Sequence, residues 1–382
     1  METYDLAIVG VGGMGSAIAA HASGRGLKVL GLEQFSIPNT RGSSHGVTRI
    51  LRVGLHEGPT YVPLVLRAVE LWRELGEKAG TPIFHPCGGL DVGYPDSSIP
   101  LGAQRACAKF NIPHEILDAA QTARRFPAIK PNDGMMAVYQ PGSGFVLPEV
   151  AISTHASIAL ENGAEIHGFE RVLGWESHAG KYVIRTDRAT YEAAQIVFSS
   201  GAWLGKLLAA QEVPVVPERT VLGWFAPRKN HAQFQEDKLP IWIVDAPQVG
   251  HFYGFPIHGV PGFKLGRLRE IPSDAVDPDL RRREPDREDE EDMRSFIREI
   301  FPDADGPVLA METCFFENSP DRAPIIDRLP GESGAWIVGG FSGHGFKFCS
   351  AVGEVMADLV TSHATPFDLT PFRFGRFKTA TA

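Results

Sequence analysis

The chain has 382 residues, 43% of them hydrophobic and 22% charged, a composition that builds packed cores and excludes both a disordered segment and a miniature disulfide scaffold. At about 150 residues per domain there is room for two or three domains. Lys and Arg total 37 against 46 Asp and Glu, a net charge of −9, so no basic field points to nucleic acid.

The amino terminus, METYDLAIVG, carries Glu2 and Asp5 where a signal peptide needs positive charge, and no run reaches about 18 apolar residues. The expectation is a cytoplasmic protein that does not use a membrane. Residues Leu6 to Val9 form a β-prone run that meets Gly10, Gly12 and Gly15 in GVGGMG. A helical SAIAAHASGRG and a second strand, LKVLGLE, follow and end on Glu33. In this strand–turn–helix context Gly10 permits the tight turn, Gly12 admits a pyrophosphate to the backbone, and Gly15 allows close helix–strand packing. Glu33 can accept hydrogen bonds from a ribose and disfavours a 2′-phosphate, but it does not separate NAD from FAD. A glycine-rich corner without a ligand is the plainer alternative. The next stretch, NTRGSSHGVTRILRVGLHEG, gathers Arg41, His45, Arg49 and Arg52 and suits either a solvated loop or a cover over a large cofactor.

Apolar positions Val65, Val69, Leu71, Trp72 and Leu75 predict a helix over Tyr61 to Lys78. CGGLDVG reads as a strand, and helices are expected over Leu101 to Phe110 and Val146 to Leu160. GAEIHGFERVLGW and KYVIRT read as hairpin strands, and AAQIVFSSGAW as a strand that can rejoin the first sheet before a helix at LGKLLAAQ. Between about 214 and 327, TVLGWFA, IWIVDA, HFYGFPI and FKLGRL suggest a mostly antiparallel sheet with one face over a substrate cavity. The run RRREPDREDEEDMRSFIREIF turns from charged to amphipathic and reads as a solvated helix with its approach. AWIVGGFSGHGFKFCSAVGEVMADLV reads as strand, glycine turn and helix, able to bring backbone N–H groups toward an anionic ring. Cys87, Cys107, Cys314 and Cys349 are too scattered for a disulfide framework or a CxxC metal cluster, and no metal is expected.

Taken together, GVGGMG, GSSHGVTRILR, FYGFP, METCFFENSPDRAPIID and GGFSGHGFKF resemble the monomeric sarcosine oxidase and N-methyltryptophan oxidase family, with similarity running to the terminal FDLTPFRFGRF. The resemblance implies FAD attached through a cysteine thioether, and oxidation of the secondary amines of N-substituted amino acids by molecular oxygen with release of hydrogen peroxide. Carried over, Gly10, Gly12, Gly13, Met14, Gly15, Glu33 and Val172 look like the dinucleotide site. Ser44, His45, Thr48, Arg49, Gly343, Gly345 and Lys347 resemble the flavin surroundings, and Cys314 the tether. Arg52 and Lys347 resemble a cationic pair for the substrate carboxylate, a role that suits a bidentate guanidinium and an ammonium. Lys264 resembles the lysine that promotes reaction with oxygen, and Arg49, Tyr253 and His344 complete the set around substrate and flavin.

One departure stands out. Some sarcosine-oxidising members have a histidine where this chain has Leu268, which makes the pocket more apolar and puts sarcosine itself in question, and Trp242 and Val244 are expected to line room for a larger substrate. The expected fold is α/β plus α+β. A Rossmann-like FAD-binding domain is expected over 1–80, 145–213 and 328–382, and a mostly antiparallel substrate domain over 81–144 and 214–327, in a monomer. The rival readings are a flavin dehydrogenase using another acceptor and a non-catalytic flavin-binding regulatory protein.

Overall fold

The computed structural model describes residues 2–268, 276–280 and 284–380. The apolar run of the first strand, Thr3–Val9, lies mid-sheet, in parallel with Val29–Leu32 on one side and Thr190–Phe198 on the other. Val29–Leu32 pairs onward with Glu165–His167. Thr190–Phe198 is shared along its length: its first half takes Lys181–Thr186 antiparallel, and Ile196 to Phe198 take Ala335–Gly339 in parallel. Val172–His178 pairs antiparallel with Lys181–Thr186 at one edge, and Ile325–Arg328, against Ala335–Gly339, makes the eighth strand of this sheet. All four residues of Val29–Leu32 and all five of Ala335–Gly339 are buried, as expected of strands covered on both faces. The helices Gly13–Gly24, Pro148–Glu161 and Cys349–Ser362 supply part of that cover.

The second sheet also has eight strands, in the order Val308–Asn318, Val216–Phe225, Phe263–Leu268, Gly250–Phe255, Ile241–Ala246, Gly89–Gly93, Met136–Gln140 and Glu115–Asp118. Every neighbouring pair is antiparallel except Ile241–Ala246 with Gly89–Gly93. The helix Arg287–Ile300 covers one face, burying Met293, Phe296, Ile297 and Ile300. Phe296 stacks on Trp242 at 5.5 Å and on Phe252 at 4.4 Å between ring centroids. The helix expected at LGKLLAAQ is only Leu204–Leu207, flanked by 3-10 turns, because the backbone leaves helical geometry at Leu208, φ −110° and ψ 31°. A small third sheet of Arg49–Leu51, Gly144–Val146 and Phe84–His85 carries Arg49. Among the described residues no helix is long and apolar enough to cross a membrane.

Candidate active site

At the end of the first strand the backbone must turn sharply. Gly10 takes φ +95°, and a Cβ there would stand 2.7 Å from the Ser200 Cα. A Cβ at Gly15 would lie 1.9 Å from the Gly10 carbonyl oxygen, so the helix can start against the strand only with glycine at that position. At Gly12 the situation is reversed: a Cβ would meet only the Ser44 hydroxyl, at 4.0 Å, which leaves open space at the N-terminal end of the helix Gly13–Gly24. Glu33 is buried and accepts from the backbone N–H groups of Val11 and Phe35, both at 3.0 Å. Burial raises its pKa, and those two donors oppose the rise. A cavity of about 330 Å³ runs past Gly10, Gly12, Met14, Glu33 and Val172.

A second cavity, about 410 Å³, lies beyond a wall shared by Met14, Ser43, Ser44 and Glu317. Ser44 Oγ accepts from the Gly13 N–H at 3.4 Å. Arg49, Arg52, Tyr253, Cys314, His344 and Lys347 line this cavity, with Gly343 and Gly345 in its far turn. Leu268 lines it as well. Trp242 and Val244 do not: both are fully buried on the opposite face of the second sheet, and Ile243 is the residue of that strand that reaches the cavity. Side chains alternate along a strand, so the expectation was one residue out of phase.

Arg49 holds the cover loop, donating to the carbonyls of Ser43 at 2.8 Å and Thr48 at 3.0 Å, and places Nη2 3.4 Å from Cys314 Sγ. His45 is fully buried with Nδ1 3.4 Å from Glu312. Burial works against its charge, but Cys314 and Glu312 outweigh it and raise the pKa. Lys264 is 2% exposed and donates to Gly46 O at 2.6 Å, Thr48 O at 2.8 Å and Thr48 Oγ1 at 2.9 Å. Burial first, and then Arg49, hold its pKa well below the usual lysine range. His45 and Thr48 of this loop, and Lys264 behind it, therefore line neither cavity.

Arg52 is almost wholly engaged. It donates to Asp91 and Glu57, both at 2.8 Å, and sits 2.6 Å from His56 Nδ1, while its Nε is buried with no partner. Glu57 Oε1 also lies 3.4 Å from Lys347 Nζ, so one carboxylate oxygen bridges the two cations. Burial opposes ionisation of Glu57, but Arg52 and Lys347 hold its pKa well below the usual carboxylate range, whereas burial pushes Asp91 up to about 6 in spite of Arg52. Burial lowers Lys347 to about 8 and His344 to about 4. His344 is therefore neutral near pH 7. Its Nε2 faces the Arg322 carbonyl at 2.9 Å and must carry the proton, leaving Nδ1 as a buried acceptor with no partner.

Glu57, Asp91 and Glu317 are site residues that sequence reading missed. Their signal was an acid inside an otherwise apolar or glycine-rich run, as in GGLDVG and CFFEN. Glu317 is buried, its Oε2 has no partner, and burial raises its pKa to about 7. Two cavities joined at such a wall, with open space above Gly12 at one end and Cys314 at the other, fit an extended dinucleotide that carries a ring system, as FAD does.

Comparison with known proteins agrees. Residues 5–359 match the family model described as FAD dependent oxidoreductase. The chain is 38% identical over 383 residues to monomeric sarcosine oxidase of Streptomyces avermitilis, covering 100% of this chain and 99% of that one. It is 34% identical over 377 residues to N-methyl-L-tryptophan oxidase of Yersinia pestis, covering 98% and 100%. Among solved structures, NikD, an amino acid oxidase of nikkomycin biosynthesis, superposes with a TM-score of 0.84 at 23% identity over 98% of both chains. L-proline dehydrogenase from P. horikoshii does so with 0.85 at 23% identity over 99% and 98%. The chain belongs to the FAD dependent oxidoreductase family, in the branch of the monomeric sarcosine and N-methyltryptophan oxidases.

Proposed function

We propose that the protein oxidises N-methyl or other N-substituted amino acids, using FAD bound covalently through Cys314 and molecular oxygen as electron acceptor. The observation that carries this reading is the Glu57 carboxylate bridging Arg52 and Lys347 at 2.8 and 3.4 Å. That bridge occupies the position a substrate carboxylate would take. A substrate acid displaces Glu57, gains charge-assisted hydrogen bonds from both cations, and is anchored by one end only. His344 Nδ1, an acceptor with no partner, is then available to the substrate N–H and orients the amine rather than moving its proton. Tyr253 and Ile243 form the wall beside it, and Leu268 keeps that wall apolar.

FAD, when bound, supplies the two-electron acceptor for the substrate C–H bond and returns those electrons to oxygen as hydrogen peroxide. The residues fitted to hold it are Gly10 through Gly15, Glu33, Ser44, Val172 and the turn Gly343–Lys347. Arg49 stabilises a thiolate at Cys314, and buried His45 is placed to take the thiol proton. The three acceptors around Lys264 Nζ match the three N–H bonds of an ammonium, so against the pull of burial it supplies positive charge behind the cover loop, where reduction of oxygen creates negative charge. The same reading divides the chain into an FAD-binding part over 1–80, 145–213 and 328–382 and a substrate part over 81–144 and 214–327. Pairing of Gly89–Gly93 with Ile241–Ala246 supports it.

An anaerobic screen of N-methyl and cyclic amino acids against their decarboxylated amines tests the proposal. Bleaching of the flavin band by the acids alone, with peroxide formed on admitting air, is the expected result. Equal bleaching by amines lacking the carboxylate, or bleaching without peroxide, overturns it.

A further inference from the structure

Outside both cavities the side chains of His85, Glu236 and His258 converge, with one ligand atom from each within 4.8 Å of the others. They come from three separate segments. His85 closes the strand Phe84–His85, Glu236 follows the 3-10 turn His231–Phe234, and His258 lies in the connection between Gly250–Phe255 and Phe263–Leu268. Glu236 shares out its carboxylate: Oε2 is 3.2 Å from His85 Nδ1, and Oε1 contacts His258 Nδ1. Both imidazoles therefore turn the same nitrogen toward one point. His167 shows the opposite arrangement, with Glu165 on Nε2 and Glu170 on Nδ1, and no single ion can be shared across the two faces of one ring.

The rings are held in place. His85 stacks on Phe145 at 4.9 Å with 8° between planes, and His258 meets the same ring edge-on at 5.0 Å. The backbone bridge between Gln235 and Ile257 keeps the Glu236 and His258 segments in register. The three side chains are 22%, 34% and 20% exposed, enough for an ion to enter and keep water on its remaining positions.

We propose that His85, Glu236 and His258 form a binding site for a divalent transition-metal ion, with zinc the best match. Two imidazole nitrogens and one carboxylate are a zinc donor set, whereas calcium and magnesium require oxygen ligands. Each imidazole binds as the neutral tautomer with its proton on Nε2. The ion fastens the connection 256–262 to the strand Phe84–His85. That connection presses on the cover loop, where a Cβ at Gly259 would lie 2.9 Å from Val47 Cγ1, and it leads directly into Lys264. Zinc is thus a structural clasp beside the cover loop and takes no part in the oxidation.

The test uses tag-free, flavin-loaded protein stripped with EDTA, equilibrium dialysis against zinc chloride, and elemental analysis. One zinc per chain is expected, with a rise in Tm. His258→Gln and Glu236→Gln, checked for folding by flavin absorbance and circular dichroism, should weaken binding at least about tenfold and abolish the Tm rise. No zinc uptake by the parent protein overturns the proposal. So does one zinc per chain held equally tightly by both variants.

Discussion

The Lys347 ammonium has two partners, the His344 carbonyl at 2.8 Å and Glu57 at 3.4 Å, and burial brings its pKa down to about 8. It is charged below that pH and loses its proton above it, so KM for a carboxylate substrate should rise as pH climbs through about 8. Lys347→Met should raise KM at neutral pH and remove this alkaline limb, which steady-state kinetics across the range will show. Lys264 makes a different prediction, because its three hydrogen bonds all go to the cover loop. Lys264→Met should slow flavin reoxidation by about 10²-fold or more, the scale of losing one preorganised electrostatic group, and leave anaerobic reduction nearly unchanged. Stopped-flow measurement of the two half-reactions separates these, and equal losses in both would reject the role. Cys314→Ala should convert a yellow acid precipitate into a colourless one with the flavin in the supernatant. A coloured pellet from the variant would move the tether elsewhere.

At the scale of elements, the helix Arg287–Ile300 shows what a charged run can conceal. Asp286 caps it by accepting from Glu288 and Asp289, and three acids occupy its first turn, where the helix dipole favours negative charge. The charges were plain in the sequence, but the stripe at Met293, Phe296, Ile297 and Ile300 decides where the helix sits. Phe296→Ala removes the ring between Trp242 and Phe252 and should cost about 3–5 kcal/mol, measurable by urea unfolding. The strand IWIVDA is apolar from Ile241 to Val244, and its one phase signal is Asp245, which shares a face with Ile243 and pairs with His251. Packing of Trp242 against Phe296 of this helix, Phe263 and Phe301 turns the Trp242 face to the core and leaves Ile243 toward the second cavity. Elements with an internal period or a glycine signature were legible for the converse reason, as in Val62–Ala79 and the turn from Gly10 to Gly15.

For the whole molecule, legibility follows sequence separation. The glycine turns at both ends could be read because the chemistry of each is local. Glu57, Asp91 and Glu317 could not: Glu57 becomes a bridge only when distant Lys347 reaches it, Asp91 comes to Arg52 on the strand Gly89–Gly93, and Glu317 matters only between two cavities. The wall of Met14, Ser43, Ser44 and Glu317 also bears on assembly in time. Met14, Ser43 and Ser44 leave the ribosome well before Glu317, Cys314 and the turn Gly343–Lys347. A chain made only as far as the first three offers a dinucleotide half a seat, so cofactor capture waits for the second glycine turn. The attachment proposed at Cys314 lies in the part of the groove completed last and would act as a latch on a chain that has already folded.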